Sequence, residues 1–312
     1  AYAPVGKLFM PIPAFRWARG HRPDQTLLDL QAPEYRRVLA HAAPGTVAMV
    51  ASGDVFLRFA RELPAFPAVD VLGLGMWVLP EQAKDFGVFF CPRQKPNELA
   101  FFLQKPPAAR IRELSSEYLY LIDTGMWLFS ERAVNVLLAQ CGWNPAEERF
   151  ANGSPAPYEL YGQFGLALGR SPTAADPLVN SLTCAVVPLP RSEFYHLGTT
   201  RQMIEAVSHL QNLELDETKL GLMGAKRHPD QYLQNSRFEI PLRQEENHTL
   251  WIENSFVPAT WQLGHDHVLT GVPANQWNLR LEPGVCMDFV PIGQKKFCVR
   301  LYGINDSFAG AI

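Results

Sequence analysis

The sequence predicts a mixed α/β domain followed by a left-handed parallel β-helix, and three observations support that prediction. A short apolar run, Thr46–Ala51, reads as a strand, and helical patterns at 33–41 and 55–63 flank it. Helices alternating with a fully apolar strand are typical of an open α/β sheet, in which such a strand is buried on both faces. From about residue 235 onward, helical periodicity gives way to short strands separated by Asn, Gly and Pro.

The third observation is a regular spacing of apolar residues in the C-terminal region. Trp251, Val257, Leu263 and Leu269 lie six residues apart. A six-residue period is the mark of a left-handed parallel β-helix, in which one side chain of each short strand points inward. Ordinary antiparallel strands remain the alternative. We therefore predict an α/β domain at 1–232 and a β-helix domain at 233–312.

Several segments complete the α/β pattern. Ser130 is a predicted N-cap of one helix, and Thr199 with Gln202 forms a predicted capping box at the start of another. Residues 142–181 are rich in Pro, Gly and Asn and read as an irregular insertion. Apolar runs predict further strands at 69–79, 99–103 and 119–122.

Composition favours a globular protein with a substantial core. The chain has 312 residues, of which 47% are apolar and 19% charged, and its net charge is −3. These values exclude intrinsic disorder and a broad nucleic-acid surface, and no apolar stretch is long enough to span a bilayer. The five cysteines lack metal-ligand spacing, so we expect reduced thiols and a cytoplasmic location. Because the chain begins without Met and ends without a polar tail, we expect a domain of a longer protein.

Asp54 is the candidate metal ligand. It follows the strand Thr46–Ala51 through Ser52 and Gly53. Ligands bind at the carboxyl ends of strands in open α/β sheets, and a carboxylate there suits Mg²⁺, which keeps phosphates and waters in its remaining positions. Capping of the following helix is the alternative role for this side chain.

Two lysines are candidates for binding phosphate. Lys7 lies between Gly6 and an apolar, proline-containing run, which would hold its stem against the core. Lys105 follows Gln104 at the end of a predicted strand and precedes Pro106, so the amide would meet a hydroxyl and the ammonium a phosphate. Ordinary solvent-exposed polar residues are the alternative interpretation of both segments.

Short polar segments at two further positions suit recognition of hydroxyls and anions. Asp123, Thr124 and Gly125 interrupt an apolar run, where the carboxylate accepts hydrogen bonds and the glycine lets a ligand approach the backbone. A plain hairpin turn is the alternative. Gly198 and Thr199 open a helix whose first N–H groups can bind an anion.

Histidines occur near two of the predicted strands. His196 precedes Gly198, and a satisfied buried imidazole is favoured over a ligand or a base. His265 and His267 alternate along a predicted strand, a spacing that suits a surface as well as a metal site. The sequence contains no Gly-x-Ser-x-Gly or Gly-x-Gly-x-x-Gly motif, so hydrolase and dehydrogenase interpretations lack support.

In their order along the chain, these segments resemble the sugar-phosphate nucleotidyltransferases, and within them the fucose-1-phosphate guanylyltransferase half of bifunctional fucose-salvage enzymes. The shared features are a Gly-Lys-x-x-x-Pro-Ile segment, a Gly-Asp after a strand, a Lys-Pro, an Asp-Thr-Gly and a Gly-Thr that opens a helix. Longer runs at 2–13, 102–106, 121–125 and 261–273 support the resemblance, which covers essentially the whole chain.

The resemblance implies a nucleotidyltransferase-type domain with a left-handed β-helix, and the conversion of GTP and L-fucose 1-phosphate to GDP-L-fucose and pyrophosphate. It implies that Asp54 holds Mg²⁺, that Lys7 binds the phosphates of GTP and that Lys105 binds the sugar phosphate. A fucokinase domain would follow this chain in its parent protein, and a homo-oligomer is one expected state. The remaining substrate-binding residues implied are Gln104, Asp123, Thr124, Gly125, Gly198 and Thr199.

The chain departs from the family pattern at two places. The family's glycine-rich Gly-Gly-x-Ser-Arg-Arg-type loop does not precede Ala1, so we expect GTP binding to be weak or absent and this chain alone to be inactive. His196 stands where relatives often have a metal-binding Asp, which leaves Glu159 and Asp176 as candidates for a second metal ligand.

Two other functions compete with guanylyl transfer. A non-catalytic sugar-phosphate-binding or assembly module is the first, because such a module needs no nucleotide loop. A hexapeptide-type acyltransferase is the second; it would need a histidine base and a groove for coenzyme A, and the segment Gly264–His267 is its one support.

Overall fold

A computed structural model describes residues 6–10, 12, 25–215, 230–294 and 296–306, except for the side chains of 211–215. The chain divides into two compact units, one of residues 32–194 and one of residues 1–31 together with 195–312. The boundary near residue 232 that the sequence pattern suggests stays a prediction.

The unit of residues 32–194 is built on a six-stranded sheet flanked by short helices. The strands of the whole unit, of which β2, β7 and β8 lie outside this sheet, are β1 (Thr46–Ala51), β2 (Val55–Arg58), β3 (Val71–Met76), β4 (Gly87–Pro92), β5 (Phe101–Gln104), β6 (Tyr118–Ser130), β7 (Trp143–Asn144), β8 (Arg149–Phe150) and β9 (Cys184–Pro188). Its helices are α1 (Leu27–Ala40, which begins before the unit), α2 (Pro80–Ala83), α3 (Ala108–Leu114), α4 (Glu131–Gln140) and α5 (Pro177–Asn180).

The sheet mixes parallel and antiparallel pairs. Its strand order is β5-β4-β6-β3-β9, and β1 pairs with the second half of β6. Strands β3 and β9 run parallel, whereas β4, β5 and β1 make antiparallel pairs. The predicted N-cap of α4 is also observed, since the hydroxyl of Ser130 accepts from the N–H of Ala133. These features confirm the predicted mixed α/β domain.

Two predicted elements of this unit are wrong. Strand β1 is not buried on both faces, because it lies at an edge of the sheet and exposes Val47 and Val50. The segment at 55–63 does not form a helix but begins with strand β2. Its residues Val55, Phe56 and Leu57 are all buried, and such a run of β-branched and aromatic residues fits a strand better than a helix with one apolar face.

The second unit contains a parallel β-solenoid. Its elements are β10 (Glu193–His196, which begins before the unit), α6 (Thr200–Leu215), β11 (Gln231–Gln234), β12 (Arg237–Phe238), β13 (Leu250–Glu253), β14 (Phe256–Val257), β15 (Gln262–Leu263), β16 (His267–Thr270), β17 (Arg280–Leu281), β18 (Val285–Gly293) and β19 (Lys296–Gly303). Strands β11, β13, β16 and β18 stack in parallel, and β19 closes the sheet as an antiparallel hairpin with β18. The predicted change to a parallel β-solenoid is confirmed.

Trp251 breaks the predicted six-residue period. Its ring centroid lies 5.5 Å from that of Tyr232, on the face opposite to Leu250 and Ile252, which belong to the solenoid core. The prediction is wrong at this position, because successive side chains of a strand point to opposite faces and Trp251 lies between two inward ones. The other members of the period do contribute to the core: Val257, Leu263 and Leu269.

Two further observations bear on the chain as a whole. Among the described residues, no helix combines the length and the apolar character that crossing a membrane requires. The five cysteines all carry free thiols, as expected from their spacing. The cytoplasmic location stays a prediction.

Candidate active site

Strands β1 and β6 bring two of the predicted site segments side by side. The amide of Ser52, just after β1, donates to the carbonyl of Gly125 at 2.8 Å. The hydroxyl of Ser52 in turn donates to Oδ1 of Asp54 at 2.7 Å. Gly125 has a φ of +74°, and a Cβ there would lie 2.6 Å from the Cβ of Ser52. Glycine is therefore required both by the backbone conformation and by the close approach of the Asp54 loop.

Asp123 lies inside this junction and is almost fully buried, with 5% of its surface exposed. Its Oδ1 accepts hydrogen bonds from the amide of Gly125 and from Nε1 of Trp127, both at 2.9 Å. Burial raises the pKa of Asp123 from 3.8 to about 7, although the two hydrogen bonds oppose the shift. The carboxyl group thus supports the turn and also carries an unusual protonation equilibrium near neutral pH.

Tyr161 is a site residue that the sequence did not reveal. Its half-buried ring makes a T-shaped contact with Trp127, at 6.1 Å between centroids. Burial raises the pKa of Tyr161 far above its ordinary value, and the negative charges of Asp123 and Asp54 raise it further. The phenol of Tyr161 therefore stays neutral in the electrostatic field of both acidic groups.

The position of Tyr161 depends on a π-helix at Leu160–Phe164, within the segment predicted to be irregular. A single π-turn has no periodic apolar pattern, so nothing in the sequence marks it. Such turns occur frequently at functional sites.

Gln104 shares one end of the sheet with Asp123. Gln104 pairs with Gly87 across β5 and β4, and Val88 pairs with Ile122 across β4 and β6, which makes Gly87 the neighbour of Asp123. Two strand spacings separate the backbones of Gln104 and Asp123 by roughly 10 Å. Between them Gly87 carries no side chain, and a Cβ there would meet Phe102 at 2.3 Å.

Lys105 directly follows strand β5 and has an uncommon backbone conformation. Its φ is +47°, in the left-handed region that L-residues other than Asn and Asp seldom adopt, and its amide donates to the carbonyl of Phe86 at 3.0 Å. The side chain is exposed just beyond Gln104. Strained backbone of this kind is often found at binding sites.

Three other candidates have positions that suggest structural roles. Thr124 is buried, and its hydroxyl donates to the carbonyl of Leu74 at 2.7 Å, within the sheet. Asp176 caps helix α5, accepting from the amides of Leu178 and Val179 and from the side chain of Gln140. Glu159 is exposed at the N-cap of the π-helix. Sugar contact by Thr124 and metal binding by Asp176 or Glu159 stay predictions.

The remaining candidates come together in the second unit. Nζ of Lys7 donates to the carbonyl of Gly198. The ring of His196 packs against Gly198, where a Cβ would lie 2.2 Å from the ring's Cε1. The predicted capping box is confirmed: the amide of Thr199 donates to Oε1 of Gln202 at 3.0 Å, and the amide of Gln202 donates to Oγ1 of Thr199 at 3.2 Å.

The fold, together with the group formed by Asp54, Asp123 and Tyr161, defines a mixed α/β protein with acidic side chains at a strand end and a β-solenoid. No protein-family model matches the chain. Over 309 residues the chain is 42% identical to the L-fucokinase/L-fucose-1-P guanylyltransferase of Bacteroides fragilis, which covers 99% of this chain and 32% of that protein. The chain thus spans about a third of the length of this relative, and the match confirms the resemblance seen in its motifs.

A solved structure is also similar to this chain. It is that of the mannose-1-phosphate geranyltransferase of Thermus thermophilus, with a TM-score of 0.42, 15% sequence identity, and coverage of 82% of this chain and 65% of that one.

Proposed function

We propose that this chain is the guanylyltransferase part of a longer protein and that it transfers GMP from GTP to L-fucose 1-phosphate, giving GDP-L-fucose and pyrophosphate. The observation that carries the proposal is the 42% identity to the bifunctional relative over 99% of the chain. The relative's name joins a kinase and a guanylyltransferase. The grouping of Asp54, Asp123 and Tyr161 at a strand end supports assigning a nucleotidyl transfer to this region.

The proposed reaction is an in-line displacement at phosphorus. A phosphate oxygen of L-fucose 1-phosphate attacks the α-phosphorus of GTP and forms the new P–O bond. The bond from that phosphorus to the bridging oxygen breaks, and its electron pair leaves with pyrophosphate. Because the attacking phosphate is already an anion, the reaction needs positioning and charge neutralisation rather than a general base.

Mg²⁺ fits the surroundings of Asp54. The hydroxyl of Ser52 fixes one carboxylate oxygen, and the half-buried side chain lies just beyond the end of β1. The charges of Asp54 and Asp123 both act on Tyr161, so two acidic groups share one small region, which favours a cation. Bound there, Mg²⁺ would neutralise charge on the reacting phosphates.

The sugar phosphate would lie along the end of the sheet. Lys105 would meet its phosphate, and Gln104 and Asp123, roughly 10 Å apart, would bind opposite ends of the sugar. Gly87 lies between them in the sheet, and the ring of Phe102 occupies the place that a Cβ there would take. Binding of GTP by Lys7, Gly198 and Thr199, which the second unit brings together, stays a prediction.

Calorimetric titrations of the chain in Mg²⁺ test this function against the acyltransferase alternative. We expect L-fucose 1-phosphate to bind, GTP to bind weakly and acetyl-CoA not to bind. The variant Asp54→Ala should lose most of the Mg²⁺-dependent part of the sugar-phosphate affinity, whereas Asp85→Ala, which alters an exposed carboxylate, should not. Tight acetyl-CoA binding would favour the acyltransferase and would contradict the proposal.

A further inference from the structure

We propose that strand β19 pairs edge to edge with the same strand of a second copy of this chain, across a two-fold axis at Val299. Strand β19 is the last strand of the solenoid sheet, whose order is β11-β13-β16-β18-β19. In the described part of the chain, β18 is its one strand neighbour. This inference does not depend on the proposed nucleotidyl transfer, because β19 belongs to the unit that contains the solenoid.

The pairing of β19 with β18 determines which backbone groups face the outer edge of the sheet. The amide of Ile304, just after β19, donates to the carbonyl of Gly284 at 2.8 Å, so these two residues continue the antiparallel ladder as a hydrogen-bonded pair. Since hydrogen-bonded pairs alternate along such a ladder, every second residue before Ile304 also directs its peptide groups toward β18. The residues between them direct their N–H and C=O groups to the outer edge, and at the centre of β19 these are Phe297, Val299 and Leu301.

The side chains of the same three residues form an exposed apolar row. Phe297, Val299 and Leu301 expose 44%, 49% and 63% of their surfaces. The cross-strand partners of Val299 and Leu301 are Phe289 and Met287, which contribute to the solenoid core, so the row continues that core to the edge of the sheet. An edge with outward peptide groups and exposed apolar side chains is a template for pairing with another strand.

The features that usually keep edge strands from pairing are absent from the centre of β19. The strand has eight residues, more than the usual five or six, and its sequence contains no proline. Of its two positive charges, Lys296 is at the first position. The guanidinium of Arg300 lies on the face opposite to the apolar row, where its Nε donates to the buried carboxylate of Asp288 at 3.1 Å. No charge therefore interrupts the apolar row itself.

An antiparallel pair of two β19 strands with its axis at Val299 satisfies both the backbone and the apolar row. The two copies of Val299 would lie opposite each other and exchange N–H···O=C hydrogen bonds, because this residue directs both peptide groups outward. Phe297 of one copy would lie opposite Leu301 of the other, and such an aromatic–aliphatic pair stabilises a sheet. The strand is thus complementary to itself in this register.

The charges of the strand favour the same register over its neighbours. With the axis at Val299, Arg300 would lie opposite Cys298 and Lys296 opposite Tyr302, so no like charges meet. An axis at Cys298 would instead place Arg300 opposite Lys296, and an axis at Arg300 would place the two guanidinium groups opposite each other. Like charges directly opposite one another destabilise a strand pair.

The expected association is weak. One strand of each copy takes part, so the interface is smaller than the roughly 800 Å² per partner of a standard protein–protein complex. We therefore expect a dimer with a Kd on the order of 10 μM, which dissociates on dilution.

Analytical ultracentrifugation over a range of concentrations tests the interface. The mass should rise with concentration from that of one chain toward that of two, and Val299→Lys, which places two ammonium groups at the axis, should raise the Kd at least tenfold without lowering the melting temperature. The control Val47→Lys alters an exposed valine of the edge strand β1 in the other unit and should leave the Kd unchanged. Association lost in Val47→Lys but kept in Val299→Lys would overturn the proposal. A wild type that stays monomeric throughout would also overturn it and would favour the rest of the longer parent protein as the partner of this edge.

The exposed thiol of Cys298 allows a second measurement on the unaltered chain. In the proposed register the two copies of Cys298 are one strand spacing apart and offset by two residues along the strands, which places their Cα atoms roughly 8 Å apart. A short bismaleimide should therefore join two chains, and Cys298→Ser should abolish this cross-link, whereas Cys141→Ser, which alters a half-buried thiol of the other unit, should not. A cross-link that persists in Cys298→Ser, or none at concentrations where the mass has doubled, would contradict the proposed pairing.

Discussion

Replacing Asp123 with asparagine removes a buried charge and keeps a side chain of nearly the same shape. Asn retains Oδ1, so the amide of Gly125 and the indole of Trp127 still have their acceptor. The substitution therefore isolates the cost of burying the carboxylate. That cost is large here, because burial raises the pKa of Asp123 from 3.8 to about 7.

The shift of about three pKa units corresponds to about 4 kcal/mol, at about 1.4 kcal/mol per unit. The folded state holds the Asp123 proton more tightly than the unfolded state does. Ionisation of Asp123 therefore lowers the free energy of unfolding as the pH rises from about 4 to about 7. Below about pH 4 the carboxyl group is protonated in both states, so it does not change the free energy of unfolding. In the asparagine variant this loss is absent.

We therefore expect Asp123→Asn to be more stable than the wild type by up to about 4 kcal/mol at pH 8, and by close to zero at pH 4. Urea unfolding of both proteins in EDTA, at several pH values, measures the difference. The exposed Asp85→Asn should show no such pH-dependent gain. A difference that does not change with pH, or a variant less stable than the wild type at pH 8, would refute the reasoning. The same variant should bind L-fucose 1-phosphate more weakly, because the buried carboxylate that lowers stability is also a predicted ligand of the sugar.

Three further substitutions probe the site. Gly125→Ala should lower the free energy of unfolding by more than the roughly 1–2 kcal/mol that a positive φ costs an L-residue, because the new Cβ would overlap Ser52. The control Gly45→Ala has a positive φ but open space around its Cβ, so in thermal unfolding it should show only the cost of the backbone conformation. Lys105→Asn, which tolerates the positive φ, should raise the Kd for L-fucose 1-phosphate about tenfold or more with an unchanged melting temperature. Tyr161→Phe keeps the ring contact with Trp127, so it should weaken sugar-phosphate binding in calorimetry while shifting the melting temperature by only a few degrees.

Local sequence patterns were sufficient to find the segments that meet at the first site. A Gly-Asp after a strand and an Asp-Thr-Gly within an apolar run each have a direct backbone reason, and the structure joins them through Ser52 and Gly125. The capping box of Thr199 and Gln202 is equally local. Such features are predictable because the residues that create them are neighbours in the chain.

Features that depend on distant parts of the chain were not predictable in this way. Tyr161 packs on Trp127, the partner of Asp123, from a π-helix without a periodic pattern. The stacking of His248 on His265 depends on the length of one solenoid coil, and the sequence instead drew attention to the adjacent pair His265 and His267. Trp251 has the spacing of a solenoid-core residue, yet it is buried on the face of its strand opposite to that core. In each case the register of packed elements, rather than local propensity, decides the contact.

Formation of GDP-L-fucose tests the proposed function most directly. The chain should be assayed with GTP, Mg²⁺ and L-fucose 1-phosphate, both alone and extended at Ala1 by the Gly-Gly-x-Ser-Arg-Arg-type loop that the family resemblance implies. We predict that the extended chain releases pyrophosphate with L-fucose 1-phosphate, that Asp54→Ala abolishes the release and that Asp85→Ala does not. Sugar-phosphate binding without any pyrophosphate release from the extended chain, or full activity of Asp54→Ala, would contradict the account.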